Sequence, residues 1–183
     1  MLCRLLTALL LVGLLSAAAP APSVFKSYQD ALNRHDAAAV AAYWALTGPE
    51  AQQKVTTDVW RGYREFERAT HAVFTIEAKA LGDDAFEITQ REDCDFYAVL
   101  ETGTKTSTFQ VKLRDGKFHE ARGGTTVDSG RPYGPTLDDF QAWVRKVHPE
   151  HADEILSDGD FVFNASTAET IMQLARKWRA SSR

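Results

Sequence analysis

The chain has 183 residues, 44% hydrophobic and 25% charged, a balance that suits one soluble domain with its own core and excludes a disordered or fibrous chain. The formal net charge of −4 comes without a basic patch, which argues against nucleic acid as a partner. The one basic run, Arg176-Lys177-Trp178-Arg179, reads as a helix C-terminus whose charges complement its dipole.

Residues 1–21 read as an export signal. Arg4 is a short positive leader, Leu5 to Leu15 an apolar stretch, and Ser16 to Pro22 a small-residue cleavage zone. The apolar run is shorter than the roughly 20 residues that span a bilayer, although an uncleaved anchor is the alternative. The expected location is secreted or periplasmic, with no membrane contact after signal removal. Cys3 precedes the apolar run, so it does not suit lipid attachment at a mature N-terminus. Cleavage leaves Cys94 as a single thiol on a dry strand face, where it acts as a small hydrophobe.

In the mature chain, Val24, Tyr28, Ala31 and Leu32 recur at helical spacing behind Ser23. Asp36 is the expected N-cap of a second helix from Ala37 to about Leu46, turning Val40, Tyr43 and Trp44 inward. Glu50 to Thr57 is polar and carries no clear pattern. A third helix, capped by Thr57 or Asp58, sets Trp60, Tyr63, Phe66 and Thr70 on one side. A meander follows. Val73 to Leu81 alternates, with Phe74, Ile76, Ala78 and Ala80 facing one way. Ala85 to Leu100 places Phe86, Ile88, Cys94, Phe96, Ala98 and Leu100 on one face. Lys105 to Arg114 turns Phe109, Val111 and Leu113 inward, and Asp115-Gly116 leads into Lys117 to Gly123. Period-two alternation between turn residues is the antiparallel signature, one face dry and one wet.

A loop from Gly123 to Pro135 leads to a helix started by Thr136 and Asp139, carrying Leu137, Phe140, Trp143, Val144 and Val147. A short helix from Glu150 to Leu156 is expected next, then an Asp158-Gly159-Asp160 turn and a strand, Phe161 to Phe163. A last helix from Ser166 or Thr167 buries Ile171, Leu174, Ala175 and Trp178. Asn164-Ala165-Ser166 fits a glycosylation sequon, which matters only in a eukaryotic secretory pathway.

Three segments together resemble the nuclear transport factor 2-like superfamily: Tyr28 to Trp44 (YQDALNRHDAAAVAAYW), Arg61 to Phe66 (RGYREF) and Val111 to Phe118 (VKLRDGKF). The likeness is to its SnoaL-like and ketosteroid isomerase-like members and covers roughly residues 24–124. It implies an α+β fold in which N-terminal helices pack on a curved antiparallel sheet, a cystatin-like cone. Residues 22–124 would form that domain and 125–183 a mainly helical extension packing on it. The short strand that members carry between the second and third helices is not visible around Glu50 to Thr57. Members bind an apolar small molecule in the cone, perform acid–base chemistry there, or dimerise.

Tyr28 falls where ketosteroid isomerase-like members hold an oxyanion-stabilising tyrosine; otherwise it is a core residue with a satisfied hydroxyl. The carboxylates of that isomerase are not matched: its base would fall near Gln52, with Glu50 the nearest acid, and no acid lies near Phe109. The meander supplies its own groups. If the Phe86 face points inward without a bulge, Gln90 and Glu92 point in with it, and if Phe118 does, so do Glu120 and Arg122. A carboxylate in an apolar cone is a general acid or base, and Arg122 would fix it or clamp an acidic ligand. The alternative is an internal ion pair, or a bulge that turns these residues to solvent. Trp60, Tyr63 and Phe109 are further candidate ligand contacts, with plain core packing as the alternative. His148 and His151 lie three apart, but Pro149 breaks the register, so no metal site is expected, and no cofactor. The expected function is a secreted or periplasmic domain binding a small apolar ligand or a protein partner. The alternatives are an isomerase, dehydratase or hydrolase using Glu92 or Glu120 with Tyr28, and a homodimer formed through the sheet.

Overall fold

In the computed structural model the residues described are 23–45, 50–82, 84–157 and 160–181, with backbone alone for 50–57. The expected signal segment and the turn residues Asp158 and Gly159 lie outside them. The fold is α+β. Helices α1 (Ser23–Asn33), α2 (Ala37–Ala42) and α3 (Glu50–Ala69) precede strands β1 (Val73–Gly82), β2 (Ala85–Asp93), β3 (Lys105–Arg114) and β4 (Lys117–Asp128). The four strands form one antiparallel sheet in chain order. Helix α4 (Asp95–Leu100) interrupts the meander between β2 and β3. After the sheet come α5 (Tyr133–Val147), α6 (Pro149–Ile155), a two-residue hairpin of β5 (Leu156–Ser157) and β6 (Asp160–Phe161), and α7 (Ala165–Ser181).

Helix α1 lays Phe25, Tyr28, Ala31 and Leu32 on the dry face of the sheet, against Phe74, Phe86, Ile88, Val111 and Phe118. Asp36 caps α2 as expected, its Oδ1 accepting the Ala39 N–H at 3.0 Å. Helix α2 stops at Ala42 rather than running on to Leu46, because Tyr43 to Ala45 pairs with the start of β4. Phe118 N–H donates to Tyr43 O at 2.7 Å and Ala45 N–H to Phe118 O at 3.0 Å. At the opposite edge, α1 side chains replace a missing strand. Asn33 donates to Phe74 O at 3.0 Å and accepts from Phe74 N–H at 2.7 Å, while Gln29 accepts from Ile76 N–H at 2.7 Å. These bonds satisfy part of the edge of β1 that would otherwise invite another chain.

The polar segment from Glu50 to Thr57, which lacked a readable pattern, is the first part of α3. The run from Ala85 to Leu100 is not one strand. It ends at Asp93, where Cys94 caps α4 through its Sγ, 3.5 Å from Tyr97 N. Phe96 and Leu100 are both buried because they are one helical turn apart, a spacing that alternation also allows. The expected loop after Gly123 is largely regular: β4 continues to Asp128 and α5 begins at Tyr133, so Thr136 is a buried residue inside the helix and not its cap. Asp128 Oδ2 receives the Tyr133 N–H at 2.8 Å. The strand expected over Phe161 to Phe163 shrinks to Asp160–Phe161, and Asn164 Oδ1 caps α7 by accepting from the Ser166 and Thr167 amides.

A second core joins α4 to the C-terminal helices. Phe66, Phe96, Tyr97 and Leu100 pack with Phe140, Val144, Ile155, Ile171, Leu174, Ala175 and Trp178. Gly62 lets α3 approach this layer, since a Cβ there would lie 2.8 Å from Phe163 O. Helix α3 therefore stands between two cores, the sheet on one side and the C-terminal helices on the other.

Candidate functional site

Helix α3 places two stripes of side chains by its 3.6-residue repeat. Trp60, Arg64 and Glu67 look toward the sheet, and Tyr63, Phe66 and Thr70 toward the C-terminal helices. Strand β2 contributes by parity. Phe86 and Ile88 are buried, and Gln90 and Glu92 continue on the same face. Strand β3 answers in register: Phe109 stands opposite Ile88, and Lys105 opposite Glu92.

Two chambers result. The larger, about 440 Å³, is lined by Tyr63, Arg64, Glu67, Glu92, Tyr97, Lys105, Tyr133 and Phe163 among others. The smaller, about 240 Å³, lies under α1 and α2 and is lined by Tyr28, Trp44, Trp60, Arg64, Gln90 and Phe109 among others. Arg64 is the residue common to both.

The larger chamber is polar at its base and aromatic on its walls. Glu67 is buried and paired with Arg64 through Oε1, while Oε2 has no hydrogen-bond partner among the described residues and lies 3.9 Å from His35 Nδ1. Burial pushes the Glu67 carboxyl up to about 8; Arg64 opposes the shift and Glu92 adds to it. Glu92 is raised too, again by burial, with Lys105 and a hydrogen bond from Tyr97 pulling against it. Burial also raises the Tyr97 and Tyr133 phenols. The Lys105 ammonium lies 5.1 Å from the centre of the Tyr133 ring and 5.8 Å from that of Tyr97, in cation–π range. Cys94 lines this chamber with its thiol pushed up by burial to about 12, which keeps it protonated and unreactive.

Of the residues singled out from sequence, Glu92 and Tyr63 line the larger chamber, and Tyr28, Gln90, Trp60 and Phe109 the smaller. Tyr28 is buried, which raises its phenol, and the Trp44 ring stands edge-on to it with centroids 6.3 Å apart. Glu120 and Arg122 are not in either chamber. The register of β4 against β3 shifts between Gln110 and Lys112, and Glu120 takes a left-handed φ of 51° at that bulge. Both side chains therefore reach solvent, where Lys112 and Arg122 hold the Glu120 carboxylate at 3.0 and 2.8 Å. Neither can act on a molecule inside the fold.

Sequence reasoning missed Arg64, Glu67, Lys105, Tyr97 and Tyr133. Arg64 and Glu67 had a usable signal, since they follow Trp60 at four and seven residues on its own helix face. Lys105 shares the parity of Phe109 on β3. Tyr97 was hidden by reading α4 as strand, and Tyr133 by reading the start of α5 as loop. Among the described residues, no group of three or more His, Cys, Asp or Glu side chains is placed to hold a metal ion, and no helix is long and apolar enough to cross a membrane.

Chemically the arrangement offers an aromatic-walled pocket, two carboxyls whose proton affinity burial raises, and two cations. No protein-family model matches the chain, and no curated protein is significantly similar to it.

Proposed function

We propose that this chain is a secreted or periplasmic small-molecule-binding domain of the nuclear transport factor 2-like kind, with its ligand seat in the paired chambers beside α3. The observation that carries the reading is the pocket of about 440 Å³, walled by aromatic side chains around a few convergent polar groups. That is the usual make-up of a small-ligand site. The helix–helix–helix–meander order supports the family resemblance, as does the Trp44–Phe118 bridge, which lies between the second and third helices where members carry a short strand. The cone and the export signal are part of the same reading.

The test is binding of an uncharged solvatochromic dye, phenylnaphthylamine, to the full chain. Its fluorescence rises on transfer to the pocket, and Leu137→Trp, which fills the larger chamber, abolishes the rise. A rise of equal size in the folded variant contradicts the assignment.

A second reading, acid–base catalysis, is favoured by one observation: Glu92 and Glu67 line the same chamber with raised proton affinity. It takes Glu92, hydrogen-bonded by Tyr97, as the general acid or base. Glu92→Gln distinguishes the two readings, since simple binding survives it and turnover does not.

A further inference from the structure

Among the described residues the smaller chamber is charged at one point. Its described walls are apolar or aromatic, Trp44, Trp60 and Phe109 among them, with Tyr28 and Gln90 the neutral polar groups and Arg64 the one ion. The guanidinium donates through Nη2 to Glu67, but its Nε and Nη1 are buried and have no hydrogen-bond partner among the described residues. An arginine stays protonated and carries five N–H donors, so burying the three on Nε and Nη1 unpaired is costly unless something else accepts them. Glu67 does not neutralise this charge fully at neutral pH, because burial favours its protonated form. Arg64 therefore brings this chamber a positive charge whose Nε and Nη1 donors have no acceptor among the described residues.

We propose that the smaller chamber binds the carboxylate of a small acid with an aromatic or aliphatic body, Arg64 serving as counter-ion and the aromatic walls holding the body. This deepens the reading above and rests on it. The larger chamber is less suited, since its two carboxyls, Glu67 and Glu92, already stand beside its two cations, Arg64 and Lys105. A phosphate dianion is disfavoured as well, because one arginine among apolar walls does not offset its desolvation. A dry cavity of about 150 Å³ admits benzene, and this one, at about 240 Å³, suits a fused bicyclic acid.

The experiment is titration calorimetry of the full chain with naphthoate and with naphthamide, a neutral molecule of nearly the same shape. Naphthoate is expected to bind at least about tenfold tighter, the scale of one charge-assisted pair. In Arg64→Gln that preference disappears while naphthamide binding changes by less than about threefold. Equal affinity for the two compounds in the wild type overturns the carboxylate assignment and leaves the ligand seat standing. Binding of neither compound overturns the assignment too, and dye binding then shows whether the seat itself survives. Unchanged naphthoate preference in a folded Arg64→Gln also overturns it. Should that variant not fold, the wild-type comparison decides alone.

Discussion

Replacing Glu67 by Gln isolates the most unusual electrostatic feature of the fold. Gln has the shape of a protonated Glu but cannot ionise. In the folded chain the Glu67 proton is held up to about 8, against an ordinary value of 4.5, so between those pH values the native state binds more proton than the unfolded chain. A carboxyl raised in this way stabilises fully at low pH and loses that contribution as pH rises through the folded value. From these two values and 1.36 kcal/mol per pH unit, the wild type loses about 3 kcal/mol from Glu67 between pH 5 and pH 8. Glu92 titrates in both proteins, so the difference between wild type and Glu67→Gln cancels its own contribution and keeps only its coupling to Glu67. The assay is urea denaturation at both pH values. The two proteins should be of similar stability near pH 5, and Glu67→Gln should be the more stable by about 3 kcal/mol at pH 8. A difference that stays within about 0.5 kcal/mol across the range refutes the burial of an unneutralised carboxyl at this position.

Asn33→Ala removes both side-chain bonds to Phe74 at the sheet edge and should lower stability by about 2 kcal/mol in the same assay; an unchanged midpoint would show that α1 does not fasten β1. In Gly62→Ala, helix propensity alone would add about 1 kcal/mol, but the close approach of Phe163 O predicts a net loss of about 1 kcal/mol, and a gain would contradict that packing. Because the Cys94 thiol is pushed up to about 12, its labelling by Ellman's reagent at pH 8 should be slow in the folded chain and rapid in urea. Comparable rates for the Cys94 peptide, followed by mass spectrometry, would place the thiol in an accessible setting instead.

The readable parts of the sequence were those where one periodicity had no rival. Tyr28, Ala31 and Leu32 fit only a helix face, and Phe86 to Glu92 only a strand, so the dry face and the inward direction of Gln90 and Glu92 could be read directly. Phe96 and Leu100 satisfy both a two-residue and a four-residue repeat, and the contacts with α5 and α7 decide for the helix. Between the two directions open to Glu120 and Arg122 the bulge decides for solvent; it reverses facing without changing composition, and its mark, a left-handed Glu120, is a backbone property. Arg64 and Glu67 were passed over because charged residues on a helix are normally solvated. Here the sheet and the turn between α1 and α2 cover that face: the Arg64 guanidinium lies 5.2 Å from the centre of the Phe74 ring, and Glu67 stands beside His35.

The account centres on the space beside α3 as a ligand seat, and a crystal structure of the full chain grown with naphthoate tests it most directly. It should show the acid in the smaller chamber, with its carboxylate oxygens within hydrogen-bonding distance of the Arg64 nitrogens and its rings against the aromatic walls. Clear density for the acid only at other places on the surface, with water alone in both chambers, would contradict it.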